Sequence, residues 1–553
     1  MKTIPFINPG TGAKFGEVTM ATPDEVTRAM HEMRQASVIW RHKTVAERAR
    51  ILRKLQKVII DATDEISTVI NQSTGKSRQD GLIEVTMTVE RIHRYLNHAS
   101  RWLGRRIVFP GLYFFKFYFT QPHPFGTVVV ISPWNYPFEL AMPFVVSALL
   151  AGNTVLLKPS EVTPAVGKLM EELFKRVPEL APFVRVLHGD GTVGAAAVAA
   201  RPDLVYLTGS TATAQKVAAA CALDLIPHLF ELGGKDAMIV LEDADVAAAA
   251  RWGVWGACYN AGQSCVAVER IYVIESRYHE FLQKIVAEAE KYTMGYSTEK
   301  ESPYHSGPLT LERQVNICRD HLEDAKAKGA WVLTGGKIKG NYVEPTVIVD
   351  VTHDMKLMRE ETFGPIIPVM KVKDEAEAIR LANDSEYGLS ASVWSKSIAH
   401  ARRVADQLEV GSVVINDALA HYAVAHLPFG GVKKSGTARS HGAQEVLQFT
   451  QLRSYAIGQP PASLDLATRM RDPGYYWLGS AIVHLVFGVT LEQKLRPLQQ
   501  LFGKKEAPTP TPPEAQSGPN GHQPKRVPVG LVTGVAGVAA AAAIAFAFKR
   551  SKK

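Results

Sequence analysis

Cysteine is scarce. Four residues in 553, Cys221, Cys258, Cys265 and Cys318, lie scattered with no Cys-x-x-Cys pair. That excludes a disulfide framework and gives no thiol metal or redox motif, so a reducing compartment is expected. No Gly-x-Gly-x-x-Gly run occurs, so the usual dinucleotide fingerprint is missing. The first residues lack a long apolar stretch, which argues against a secretory signal. The net charge of +9 is unevenly spread: residues 458–553 hold 12 Lys or Arg against 5 Asp or Glu, leaving the body near +2. The basic balance belongs to the tail, and no RNA- or DNA-binding motif accompanies it.

What is present fits a large soluble body. A chain of this length exceeds one hydrophobic core and implies two or three domains. Charged, periodic segments from about 23 to 103 read as helices, with Ile51, Leu52, Leu55, Val58 and Ile59 at helical spacing on a packed face. From 126 to 241, short apolar runs (Thr127 to Ile131, Thr154 to Leu157, Val184 to Leu187, Leu204 to Leu207) alternate with helical segments around 138–150, 163–176 and 211–221. This βαβ rhythm implies a parallel, doubly wound sheet, which binds ligands beyond the carboxyl ends of its strands. Polar and glycine-rich residues stand at those ends: Asn135, Lys158 to Glu161, Gly189 and Gly209-Ser210. Residues 232–430 read as a second α/β domain, with strands at Met238 to Leu241, Ile271 to Ile274 and Val413 to Asn416 and a helix over 277–292.

One cysteine has a distinctive setting. Asn260-Ala-Gly-Gln-Ser-Cys265 lies in a polar, turn-prone segment, 34 residues after Glu231-Leu-Gly-Gly-Lys235. Free cysteine usually behaves as a small buried hydrophobe, but a thiol with a carboxylate base is the minimum equipment for covalent catalysis on a carbonyl. These two motifs, with Pro133-Trp-Asn-Tyr-Pro137, Lys158-Pro-Ser-Glu161, Thr208-Gly-Ser210, Glu361-Thr-Phe-Gly-Pro365 and Pro428-Phe-Gly-Gly431, occur in the order and near the spacing of the aldehyde dehydrogenase superfamily. Over roughly residues 7 to 457 the chain resembles that superfamily.

The resemblance implies an α/β fold: a Rossmann-like cofactor domain (1–105 and 125–231), a second α/β catalytic domain (232–444) and a small β oligomerisation element (106–124 and 445–457). It implies Cys265 as nucleophile, Glu231 as the base that activates water, and the Asn135 amide with the Cys265 backbone N–H as oxyanion donors. Lys158 and Glu161 would meet the adenosine ribose, Gly209 and Ser210 the pyrophosphate, and Glu361 and Phe363 the nicotinamide ribose; Trp134 and Gly189 complete the cofactor surface. Ala214 stands where the family often has a second glycine. A carboxylate at Glu161 favours NAD over NADP, with NADP still possible. A thiol of ordinary pKa is only partly ionised at neutral pH, so local activation of Cys265 is expected. Leu112 to Thr120 is rich in β-formers and would need a partner along its edge, which makes a homodimer or higher homo-oligomer the expectation.

The last 96 residues form a separate region. Trp477 to Val489 is an apolar run too short to span a bilayer, suited to covering a pocket or lying at an interface, with His484 packed within it. Leu491, Leu495, Leu498 and Phe502 suggest a short amphipathic helix that Pro497 would disturb. Residues 458–503 are thus a membrane-proximal or pocket-covering segment, and 504–524, with six prolines, an extended linker. Val527 to Phe548 is 22 residues without a charge, bracketed by Lys525-Arg526 and Lys549-Arg550. As a helix it would extend roughly 33 Å, enough for a bilayer core of about 30 Å. Residues 525–553 therefore read as a C-terminal transmembrane tail anchor, with the catalytic body in the cytoplasm.

Val414-Ile-Asn-Asp417, Pro428-Phe-Gly-Gly-Val432, Ser435-Gly and His441-Gly are similar to the class 3 or fatty aldehyde dehydrogenase branch, from which Lys433-Lys434 and Val268-Glu-Arg270 depart. The expected activity is NAD(P)-dependent oxidation of lipophilic or long-chain aldehydes to acids through a Cys265 thiohemiacetal and thioester. The alternatives are an aldehyde-forming acyl-thioester reductase and an inactive membrane-tethered scaffold. No metal is expected.

Overall fold

A computed structural model describes residues 2–111, 116–458, 470–471 and 475–502. The linker and tail anchor expected at 504–524 and 525–553, and the first part of the β-rich edge at 112–115, lie outside the described residues. The chain divides into two units, one of residues 1–107 and 119–455, the other of 108–118 and 456–553.

The first unit opens with a β-hairpin (Thr3–Ile7 and Lys14–Thr19) and four helices, Pro23–His42, Val45–Asp61, Thr63–Thr74 and Arg78–Trp102. Their starts are written in the sequence. Thr22 and Thr44 each form a capping box with a glutamate three residues on, and Ser77 caps the 25-residue fourth helix. On the second helix Ile51, Leu52, Leu55 and Ile59 are buried and Val58 partly so, the face expected from the spacing. Each such side chain contributes about 1.5–3 kcal/mol of burial.

Two sheets follow. The first has five parallel strands in the order Val184–Val186, Thr154–Lys158, Thr127–Ile131, Leu204–Gly209, His228–Leu232. The chain winds outward from Thr127–Ile131 first to one side and then to the other. The switch point therefore lies between Thr127–Ile131 and Leu204–Gly209, where loops diverge and leave a crevice. Helices Met142–Ala151 and Pro164–Lys175 pack beside it; the first is buried at every position, which explains its all-apolar sequence.

The second sheet begins four residues later. It has seven strands in the order Trp331–Thr334, Thr346–Val349, Ile366–Val372, Val268–Ile274, Asp236–Val240, Ser390–Trp394, Ser412–Ile415. All pairings are parallel except that of the edge strand Trp331–Thr334. Its core strand Val268–Ile274 is buried along its whole length, including the charged pair Glu269-Arg270.

One boundary moves. Residues 445–447, expected in the oligomerisation element at 445–457, belong to the helix Gly442–Leu447, packed beside Met142–Ala151, and the strand of that element starts at Thr450. Glu445 is fully buried there, a place no solvent-edge strand could offer it. In the second unit the apolar run becomes a helix, Tyr475–Ile482, with a π-helical turn at Val483–Phe487. The helix Leu491–Phe502 continues through Pro497, which removes one i→i−4 bond without ending it. Among the described residues no helix is long and apolar enough to cross a membrane.

Candidate active site

The carboxyl ends of the five-stranded sheet carry unsatisfied polar atoms. Buried Ser132 Oγ, Thr208 Oγ1 and Glu231 Oε1, from three neighbouring strands or the residue just beyond one, have no hydrogen-bond partner. Buried polar atoms are normally paired, so three at the switch point mark a surface that meets something polar. Lys158, 5% exposed at the end of its strand, bonds Glu161 Oε2 at 2.5 Å. Ser210 caps the helix Thr211–Ala222, accepting from Thr213 N at 3.3 Å, and a Cβ on Gly209 would meet nothing nearer than Leu207 Cδ2 at 3.6 Å. The helix start is open, as a pyrophosphate needs. Ala214 does not obstruct it: its side chain packs with Leu207, Phe230 and Leu232 on the sheet side. Gly189 has a packing reason of its own, since a Cβ there would lie 2.2 Å from Val193 Cγ2.

The second half of the crevice comes from the loop Glu361–Phe363. The Trp134 and Phe363 rings meet edge to face at 5.6 Å. Glu361 Oε1 accepts from Gly234 N at 3.1 Å, and burial, reinforced by the neighbouring Glu269 carboxylate, pushes its carboxyl up to about 8. Phe363 holds a left-handed backbone (φ 52°) that a bulky residue adopts only when its surroundings impose it. Glu269 imposes it: its carboxylate accepts from Thr362 N and Phe363 N, each at 2.8 Å, and from Lys235 Nζ at 2.5 Å. Sequence reasoning met Glu269 as a departure from the branch pattern and passed over it. A buried glutamate inside an apolar strand was the available signal.

The thiol loop is strained in the same manner. Asn260, Ala261 and Gly262 are all left-handed, with φ of 53°, 55° and 75°. A Cβ on Gly262 would lie 2.3 Å from the Gly364 carbonyl carbon, so that position needs glycine. Gln263 locks the turn through Nε2 to Asn260 O at 3.0 Å, while its Oε1 accepts from Thr310 N at 2.8 Å. Asn135, 5% exposed, donates its amide to Gln263 O at 3.2 Å, two residues from Cys265. The Cys265 backbone N–H has no backbone acceptor among the described residues.

The expected activation of the thiol is not built into the protein. Burial first, then the Glu231, Asp236, Glu361 and Glu139 carboxylates, push the Cys265 thiol well above its usual range. Glu231, 4% exposed, is itself pushed up to about 7 by burial, against a hydrogen bond from Ser440 and the charge of Arg91. That places it where a general base operates.

A cavity of about 140 Å³ leads to Cys265. Its walls come from Ile83, Met87, Leu140, Trp255, Tyr259 and Tyr422, with Glu84 its one charged lining residue. Ile83, Glu84 and Met87 share the helix Arg78–Trp102 with Arg91 and Tyr95, so successive turns of one face serve first the cavity and then the core beneath it. Arg91 there bonds Glu139 and, at 2.5 Å, Glu445.

A thiol at the end of an apolar cavity, a carboxyl poised near neutrality and an open helix start at Ser210 are brought into one unit by these elements. A sequence model of the aldehyde dehydrogenase family matches residues 1–455. The chain belongs to the aldehyde dehydrogenase family. It is 42% identical over 453 residues to the 4,4'-diapolycopene aldehyde oxidase of Methylomonas sp, an alignment covering 81% of this chain and 85% of that protein. Among solved structures, the Anabaena variabilis protein PutA superposes with a TM-score of 0.80 at 35% identity, covering 84% of this chain and 99% of its own. A Bacillus halodurans NADP-dependent glyceraldehyde-3-phosphate dehydrogenase, complexed with NADP, superposes at 0.79 with 31% identity, covering 83% and 96%. This aldehyde dehydrogenase oxidises aldehydes with NAD or NADP as cofactor, and the open helix start at Ser210 and the unpaired atoms at the switch point fit such a group.

Proposed function

We propose that this aldehyde dehydrogenase oxidises lipophilic aldehydes to carboxylic acids. The observation that carries this is the cavity at Cys265. Its walls are aliphatic and aromatic, and its one charged lining residue, Glu84, is spent on Lys76 and two backbone amides. A carboxylate-bearing aldehyde would find no unpaired cation among the lining residues, and leaving its charge unpaired costs several kcal/mol. The fatty aldehyde branch resemblance supports the same reading, as does the relative named for a diapolycopene aldehyde.

In this reading the Cys265 sulfur adds to the aldehyde carbon. The Asn135 amide and the Cys265 N–H receive the oxyanion, a stabilisation of about 3 kcal/mol per donor. Lys158, Glu161, Gly209, Ser210, Glu361, Phe363 and Trp134 hold the cofactor, which when bound supplies the hydride acceptor. Glu231 takes a proton from the water that cleaves the thioester, which favours acid release over reduction of an acyl thioester. Glu161 favours NAD by accepting from ribose hydroxyls, a role its bond to Lys158 leaves open because the carboxylate has two oxygens.

The remaining parts of the reading concern place and assembly. Residues 525–553 anchor the chain in a membrane with the catalytic body on the cytosolic side, supported by the uncharged run of 22 residues with basic flanks. The part of the expected edge that lies at Lys116–Pro124 is paired on both sides, by Arg106–Ile107 and Thr450–Gly458; a homo-oligomer is supported instead by Ile107, 76% exposed on the outer strand Arg106–Ile107. The deciding experiment is NADH formation by full-length protein over alkanals of increasing length, with succinic semialdehyde and betaine aldehyde beside them. Efficiency should rise with chain length; preference for either charged aldehyde would sink the proposal.

A further inference from the structure

Lys76 follows the helix Thr63–Thr74 and its left-handed cap Gly75, and it is 2% exposed. A buried ammonium needs its three N–H groups engaged. Here Nζ donates to Glu84 Oε1 at 2.7 Å and to the Asn135 carbonyl at 2.7 Å, and lies 4.1 Å from the centre of the Tyr136 ring. Glu84, 1% exposed, is held from its other oxygen by Phe138 N at 3.2 Å and Glu139 N at 3.3 Å. The pair therefore grips the 135–139 segment at both its ends.

The Asn135 carbonyl has a second partner, Asn260 Nδ2 at 3.2 Å. Asn260 belongs to the strained loop that delivers Cys265 and also bonds Gln263 O at 3.1 Å. Both lone pairs of one carbonyl are thus taken, one by a charge fixed to the helical layer, the other by the thiol loop. With its peptide plane fixed from two sides, Asn135 can turn only its side chain. One amide hydrogen of that side chain is bound to Gln263 O, and the other is free for a substrate oxygen.

We propose that Lys76 is a positioning residue of the reaction, clamping the Asn135 peptide so that its side-chain amide meets the developing oxyanion. This rests on the assignment of Asn135 as an oxyanion donor. Misplacement of a donor by about 1 Å costs on the order of 10²-fold, and Lys76, which does not itself line the cavity, stands behind the wall residues Glu84 and Tyr136.

The test is a mutant cycle on the full-length enzyme. Lys76→Met/Glu84→Gln removes the charge pair without leaving one charge buried alone. It should lower the rate of the first turnover and of steady state alike, each roughly 10- to 100-fold, because both steps pass through an oxyanion. Kd for NAD should stay within about twofold, and thermal melting gives the folded fraction. Asn135→Ala alone should cost about 10²-fold or more, and the triple variant should be no slower than Asn135→Ala. Losses that multiply in the triple variant, or a folded pair variant with normal turnover, overturn the role of Lys76 alone. Normal turnover in Asn135→Ala overturns the oxyanion assignment and the clamp with it. Should the pair variant melt too low, turnover is read per folded enzyme below its melting midpoint, where the same outcomes apply.

Discussion

Two buried carboxylates, Glu231 and Glu445, sit in the same unit and have opposite fates. Glu445 is fully buried and completely occupied: it accepts from Arg91 at 2.5 Å, Tyr95 OH at 2.7 Å, Ser147 Oγ at 2.8 Å and His441 N at 2.8 Å. Glu231 is almost as buried, yet its Oε1 has no hydrogen-bond partner and its carboxyl is raised to about 7. The first is a joint between helices and the second is a reagent. Burial alone does not distinguish them; the number of donors aimed at the oxygens does.

The largest expected effect breaks the comparison on the chemical side. Cys265→Ala should reduce aldehyde oxidation to background while NAD binding, followed by fluorescence, survives. Substantial residual turnover would remove the reason for keeping Glu231 unoccupied. Glu231→Gln should slow steady-state turnover by about 10²–10⁴-fold while an initial burst of NADH remains. Equal loss of burst and steady state would give Glu231 another role.

Glu445→Gln tests the other side. It leaves Arg91 with a weakened set of partners in the core, and breaking such a pair costs about 3–5 kcal/mol. Thermal melting should show that loss, with KM for the aldehyde little changed in the folded fraction. A variant that melts normally but has lost turnover would make Glu445 a reagent as well.

The effect of pH is smaller and has a definite sign. A base must be unprotonated, so turnover limited by thioester hydrolysis should rise about tenfold per unit below pH 7 and level off above it. Stability runs the other way. A carboxyl raised in the fold favours its neutral form, so its contribution is fully present below the usual carboxylate range and is lost as pH rises through about 7. The melting temperature of wild type should therefore fall relative to Glu231→Gln between pH 6 and 8. The smallest effect concerns Glu161, whose change to Gln should raise the relative efficiency with NADP.

The frame of the fold was legible because parallel strands buried on both faces read as apolar runs, as at Thr127–Ile131, and because apolar residues at helical spacing mark a packed face, as at Ile51 to Ile59. What escaped was non-local or conformational. Arg91 and Glu445 are 354 residues apart, and no spacing rule joins them. Left-handed Ala261 and Phe363 leave no compositional trace, since such positions usually announce themselves as glycine or asparagine. The thiol was expected to be activated by its own protein; the fold instead surrounds it with carboxylates. The loop motifs were readable one by one, but Glu269, which holds two of their amides, lies in a strand where only packing was sought.

The helix Arg78–Trp102 has a consequence for how this enzyme can diversify. Ile83 and Met87 touch the cavity and make no polar bond, whereas Glu84, Arg91 and Tyr95, on neighbouring turns, are bonded into the core. Changes at 83 and 87 can reshape the range of aldehydes admitted while the other three keep their buried bonds. New specificities can thus arise by single substitutions on one helix, with no loss of the scaffold that carries them.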